Sequence, residues 1–178
     1  NDHPIELEIG SGKGQFMTAN AALHPERNYL ACEGLPDVYV RICEKIIEMG
    51  LTNLRVIPCW MDHASEFFED GELSGIYINF CDPWPKKRHI KRRLTNREKL
   101  GEYKSIVGPG NFIQIKTDND PLFDFTLEEI EAADLDLLEC SRDLHSSPYA
   151  EKNIRTEYED KFSGNGKSIN YAFCKVKL

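Results

Sequence analysis

An acid hemmed in by residues that cannot continue a strand stands near the middle of the chain, in Asn79-Phe-Cys-Asp82-Pro-Trp-Pro85. It follows a short apolar run, Gly75 to Phe80, whose β-branched and aromatic content predicts a buried strand. In open α/β sheets, ligands bind beyond the carboxyl ends of the strands. Pro83 and Pro85 stiffen the exit, so Asp82 and Trp84 are predicted to be presented in a fixed way. Six Lys/Arg and one histidine then fall within Lys86 to Arg93. A proline turn and a solvated charged face explain each feature alone, but not their adjacency. An acid, an aromatic ring and a cationic arm in series suit a site that holds a nucleobase and grips its phosphates through Lys87, Arg88, Lys91, Arg92 and Arg93.

A second constellation lies near the start. Pro4 to Ile9 alternates apolar and acidic residues and runs into Gly10-Ser-Gly12-Lys-Gly14, followed by a helical pattern from Gln15 to about Leu23. Gly10, Gly12 and Gly14 permit positive φ and close backbone approach to a ligand at a helix start. The spacing is neither the GxGxxG of dinucleotide sites, since residue 15 is Gln, nor a P-loop, since Lys13 is followed by Gly14. Glu8 at the strand end would repel a pyrophosphate. It suits a cationic ligand carrying an amino-acid ammonium, such as S-adenosylmethionine. Asn28 to Glu33 reads as the next strand, ending in an acid 23 residues after Gly10, where such sheets hold ribose hydroxyls. Glu33 is therefore the expected ribose ligand.

These residues need a sheet to position them. Further strands are predicted at Leu54–Cys59, Asn111–Thr117, Leu135–Leu144 and Ser168–Leu178, and helices at Asp37–Met49, Thr95–Ser105 and Pro121–Ala132. Alternating strands and helices closed by a terminal hairpin imply a single α/β domain with a mostly parallel seven-stranded sheet, one strand antiparallel. Asp62 follows the third strand and Asp118 the fifth, so both join the edge that carries Glu8, Glu33 and Asp82; Asp62 is placed to meet an adenine amino group.

The composition sets limits. With 40% apolar and 29% charged residues, the chain has a soluble globular composition, and no apolar run approaches the ~20 residues of a membrane span. The net charge of −8 argues against a polyanionic partner until it is mapped. Without the six Lys/Arg of residues 86–93, the rest of the chain has 16 basic against 30 acidic residues, so positive charge is concentrated beside Asp82. The six cysteines show no CxxC spacing, and Cys59 with His63 lacks further ligand pairs, so no metal is expected and a reducing, cytoplasmic setting is inferred. The opening Asn-Asp-His-Pro, without initiator Met, is compatible with an N-terminal arm outside this sequence.

Four segments together, Leu7–Gly14, Asn79–Thr95, Lys116–Asn119 and Thr156-Glu-Tyr-Glu-Asp-Lys-Phe162, resemble the motifs of the tRNA (guanine-N7)-methyltransferase family in its bacterial single-chain branch, in order and over nearly the whole chain. The resemblance implies a class I, Rossmann-like fold with helices on both faces of the sheet, S-adenosylmethionine as cofactor, and methylation of N7 of a guanine at position 46 in the tRNA variable loop. It implies that Glu8, Glu33 and Asp82 contact the methyl donor and that Asp82 is the active-site acid. Lys86, Asp118, Thr156, Glu157, Tyr158 and Glu159 would bind the target. Where relatives place an Asp after the third strand, an ungapped reading gives Trp60 here; either Asp62 serves by a local shift or Trp60 stacks on the adenine. The family includes monomers and homodimers.

The chemistry agrees with the residue types. N7 of neutral guanine already carries an in-plane lone pair, so methylation needs alignment more than a base. Two other readings compete. Asp82-Pro-Trp-Pro is similar to the Asp/Asn-Pro-Pro-aromatic loop of exocyclic-amine methyltransferases. A noncatalytic RNA-binding module on the same fold would bind tRNA without cofactor.

Overall fold

The computed structural model describes residues 1–163 and 166–178. Seven strands form one sheet: β1 (Ile5–Ile9), β2 (Asn28–Cys32), β3 (Leu54–Ile57), β4 (Gly75–Asn79), β5 (Phe112–Thr117), β6 (Leu135–Ser141) and β7 (Asn170–Val176). Their order is β3-β2-β1-β4-β5-β7-β6. β7 runs antiparallel to both neighbours, and the remaining pairings are parallel. The expected sheet, with a single reversed strand, is borne out.

The helices are α1 (Gln15–Leu23), α2 (Pro36–Met49), α3 (Arg97–Val107), α4 (Asp120–Ala132) and α5 (Glu157–Ser163). They cover both faces because the central strands are apolar on both. Leu7, Ile9, Ile76 and Ile113 pack against Leu100 and Tyr103 of α3 and Phe123 and Ile130 of α4. On the opposite face, Tyr29, Ala31 and Tyr77 pack against Phe16 and Met17 of α1 and Ile42 of α2. β4 is buried along its whole length, as its composition predicts. The first acid of β1, Glu6, is buried as well and accepts from Tyr77 Oη at 2.8 Å and from Arg27.

Two boundaries shift for local reasons. α3 begins at Arg97 rather than Thr95, because Asn96 accepts from the Lys99 backbone N–H as a cap while the Thr95 hydroxyl turns inward to Thr126 at 2.8 Å. β6 stops at Ser141, where the Ser141 hydroxyl accepts from Asp143 N and turns the chain. The loop expected beyond it contains 3₁₀ turns at Leu144–Ser146 and Ala150–Lys152, and Thr156–Glu159 opens a helix.

A candidate methyl-donor and guanine cleft

β1 feeds α1 through a turn whose three glycines all have positive φ, 81° at Gly10, 54° at Gly12 and 79° at Gly14. The turn is fastened to β2, with Gly10 N and Ser11 N both donating to Cys32 O at 2.9 Å. Glu33, just past β2, accepts from Gly12 N with one oxygen and from Leu35 N with the other, each at 3.0 Å. Each carboxylate oxygen has a further lone pair, so Glu33 both braces the turn and can accept from a ribose. The space beside Gly10 and Gly12 is open, whereas a Cβ at Gly14 would lie 2.8 Å from Ile42 Cγ2.

Glu8 is buried in β1. Asn79 Nδ2 donates to its Oε1 at 2.7 Å, and among the described residues Oε2 has no partner. Burial pushes the Glu8 carboxyl up to about 7. A buried acceptor left bare at the glycine turn fits a ligand bearing an ammonium.

The acid turn is held from beneath. Phe80 (φ 52°) and Trp84 (φ 42°) bracket Asp82 in left-handed backbone, a costly conformation for aromatic residues. Arg93 fixes it, donating to Pro83 O at 3.0 Å and Trp84 O at 3.2 Å with its guanidinium 4.4 Å from the Phe125 ring centroid. The Arg92 guanidinium lies 5.0 Å from the Trp84 ring centroid, and His89 meets that ring edge-on. Lys87–Arg92 forms a 3₁₀ helix, so Lys87, Arg88, Lys91 and Arg92 stand exposed while Arg93 is turned inward. Lys86 is exposed at the start of that helix.

One cleft of about 1040 Å³ joins the glycine turn to the acid turn, lined by Gly10, Glu33, Trp60, Asp62, Asn79, Asp82, Trp84, Lys91 and Arg92 among others, with Glu8 bonded to the lining residue Asn79 but not itself in the lining. Trp60, 67% exposed, lies flat over Gly34, where an added Cβ would be 2.3 Å from the indole. Asp62 is on the same wall, and its carbonyl accepts from Lys99. Burial raises the Cys32 and Cys81 thiols to about 12, so these two give the cleft neutral thiols. Among the described residues, no group of three His, Cys, Asp or Glu is arranged to hold a metal. Likewise, no helix there is long and apolar enough to cross a membrane.

The segment Thr156–Glu159 joins the site by a route that sequence reading missed. Thr156 and Glu159 form a capping box on α5: Glu159 N donates to Thr156 Oγ1 at 3.0 Å, and Thr156 N to Glu159 Oε2 at 3.4 Å. Ser/Thr-x-x-Glu was the available signal. Glu159 also pairs with the fully buried Lys116 of β5 at 2.8 Å and with His145 at 2.6 Å, so Thr156 and Glu159 face into the fold. Burial favours the neutral Glu159, but the Lys116 charge and three side-chain hydrogen bonds hold its carboxyl below the usual range. Glu157 points to the glycine turn, accepting from Gln15 N at 3.4 Å and from Lys45 at 2.6 Å. Tyr158 packs on Phe80 and donates to Asp118 at 3.2 Å. α5 thus ties the glycine turn, the end of β5 and the acid turn together.

Comparison with known proteins bears on the family and the fold. A family model described as "Putative methyltransferase" matches residues 2–172. The tRNA (guanine-N(7)-)-methyltransferase of Staphylococcus saprophyticus is 44% identical over 169 residues, covering 95% of this chain and 80% of the relative. The enzyme of that name from Listeria monocytogenes serotype 4b is 46% identical over 166 residues, 93% of this chain and 77% of the relative. Among solved structures, the 16S rRNA methyltransferase KamB superposes with a TM-score of 0.74 at 12% identity, over 98% of this chain and 88% of that one. A SAM-dependent methyltransferase from Aquifex aeolicus gives a TM-score of 0.64, also at 12% identity, over 97% and 82%. The shared sheet, the glycine turn ending in an acid-lined cleft and the identity across nearly the whole length lead to one conclusion: the chain belongs to the tRNA (guanine-N(7)-)-methyltransferase family.

Proposed function

We propose that this chain transfers the methyl group of S-adenosylmethionine to N7 of a guanine in tRNA, at position 46 of the variable loop. The observation that carries the reading is the single cleft that joins Gly10 and Glu33 to Asp82, with Lys91 and Arg92 on its wall. When bound, the donor supplies an electrophilic methyl on a sulfonium. Glu8 accepts from its ammonium and Glu33 from its ribose. Trp60, flat against Gly34, offers the adenine a stacking face, and Asp62 on the same wall an acceptor.

Asp82 orients the guanine. As the base becomes cationic, its N1–H and amino donors strengthen, so a carboxylate receiving them stabilises the transition state more than the ground state. Trp84 supports that turn by packing. Lys86, Asp118 and the α5 segment serve the target side, with Tyr158 exposed, Glu157 held against the glycine turn, and Thr156 and Glu159 building the segment. Lys87, Arg88, Lys91 and Arg92 meet phosphates; Arg93 keeps the acid turn in place. In a folded tRNA the base has to be flipped out to reach Asp82. The six free thiols suit a reducing cytoplasm.

The test is methyl transfer from labelled S-adenosylmethionine to unmodified transcripts carrying guanine or adenine at position 46, mapped by cleavage at N7-methylguanine. Label is expected only on the guanine transcript, and Asp82→Ala is expected to abolish it with tRNA affinity nearly intact. Label on an exocyclic amine, or an active alanine variant, would sink the assignment.

A further inference from the structure

Two of the buried polar atoms that lack partners among the described residues belong to one bonded pair: Glu8 Oε2 and Asn79 Oδ1. Asn79 ends β4, lines the cleft, and uses its amide N–H to hold Glu8 Oε1 at 2.7 Å. Nearly all buried polar groups find a partner, so two bare acceptors on adjoining side chains mark a place for a ligand with several donors. Lys116 is not that ligand, since its ammonium is bonded to Glu159, Asn153 and Ile154 O.

We propose that Asn79 is a positioning residue for the amino group of the methyl donor: it fixes one oxygen of Glu8, so that the other oxygen and its own amide oxygen together accept from the methionyl ammonium. The inference rests on the S-adenosylmethionine reading and adds a second acceptor to it. It also predicts proton linkage. The groups facing Glu8 are Asn79 from β4, Ser11 from the glycine turn, Lys116 from β5 and Glu157 from α5. Burial outweighs them and holds the carboxyl at about 7, so an arriving ammonium must displace a proton near neutral pH. Affinity for an ammonium-bearing ligand therefore falls as pH drops below about 7, by up to about tenfold per pH unit, and is flat above it.

The test is calorimetry on the full chain between pH 6 and 8, in two buffers of different ionisation enthalpy. The ligands are S-adenosylhomocysteine and 5′-methylthioadenosine, which lacks the amino-acid portion. S-adenosylhomocysteine should bind the wild type with release of up to one proton below pH 7, and 5′-methylthioadenosine with none. Asn79→Leu should weaken S-adenosylhomocysteine roughly tenfold or more and leave 5′-methylthioadenosine within about twofold. Equal weakening of both ligands, or binding of S-adenosylhomocysteine to the wild type at pH 6.5 without proton release, would overturn the inference. If Asn79→Leu does not fold, the proton count on the wild type decides. A wild type that binds neither ligand would remove the donor reading itself.

Discussion

Replacing Glu159 by Gln keeps its shape and removes its charge, and it also sets an amide nitrogen against the Asn153 Nδ2 donor and His145 where Oε1 now accepts. The Lys116 ammonium bonds Glu159 Oε2 at 2.8 Å, Ile154 O at 2.9 Å and Asn153 Oδ1 at 3.1 Å, and both paired side chains are fully buried. In Glu159→Gln the neutral acceptors stay, so the ammonium loses only its counter-charge. β5 lies between β4 and β7, which keeps Lys116 from withdrawing to water. Removing one partner of a buried pair costs about 3–5 kcal/mol. With a urea m-value of about 2 kcal/mol per M, the unfolding midpoint at pH 7 should drop by about 1.5–2.5 M. The pH dependence has a definite sign. Burial already pulls Lys116 below its ordinary 10.5, and Glu159 counters that. Without Glu159 the folded variant sheds the proton earlier than the unfolded chain, so the unfolded state binds more protons. Stability of the variant then rises with pH toward 10.5, by up to about 1.4 kcal/mol per unit. In the wild type, the depressed Glu159 carboxyl contributes stability above its ordinary 4.5 that is lost as pH falls through its folded value. Urea unfolding followed by circular dichroism at pH 7, 8, 9 and 9.5 measures the rise in the variant, and the same melts from pH 5 down to pH 3 measure the loss in the wild type. A variant midpoint equal to wild type at pH 7, or a gap that does not narrow toward pH 9.5, would refute the reasoning.

Three further outcomes are expected. Gly34→Ala puts a methyl 2.3 Å from the Trp60 ring and should swing the exposed indole away, shifting tryptophan emission with less than about 1 kcal/mol change in stability; unchanged emission would contradict the packing. Gly14→Ala combines φ of 79° with a contact 2.8 Å from Ile42 in the core, and should lower the melting temperature by roughly 5–10 °C; a melt within a degree of wild type would show that the turn relaxes. Neutralising Lys87 and Arg88 together should reduce the slope of log affinity for tRNA against log salt by roughly 1.4–1.8, and an unchanged slope would take them out of the phosphate contacts.

The elements were legible because the strands and helices carry strong period and punctuation: β4 is a continuous apolar run, and α2 ends at Gly50, φ 65°. The strand-edge acids were legible because a parallel sheet must deliver its carboxyl ends to one side. Side-chain direction was not. Nothing in the spacing distinguishes Arg93, turned under the acid turn, from exposed Arg92 one residue earlier. The resemblance implies that Thr156–Glu159 binds the target, and two of its four residues face inward. Their partner Lys116 lies 43 residues away from Glu159, a pairing no local pattern announces. Trp60 stands where the resemblance implies an acid, and its place over Gly34 depends on β2 and β3 ending side by side.

The position of β7 bears on how the chain is made. It sits between β5 and β6, not at the sheet margin, although it is synthesised after both. Until Asn170–Val176 emerges from the ribosome, β6 has no strand to pair with, and β5 presents Phe112-Ile-Gln-Ile-Lys-Thr117 with one side bare. An apolar strand with an open backbone edge is a template for pairing with other chains. A product stalled or cleaved just before residue 170 therefore loses more than one strand: it strands β6 and exposes an aggregation-prone edge, and the sheet commits to its native order only once β7 is available.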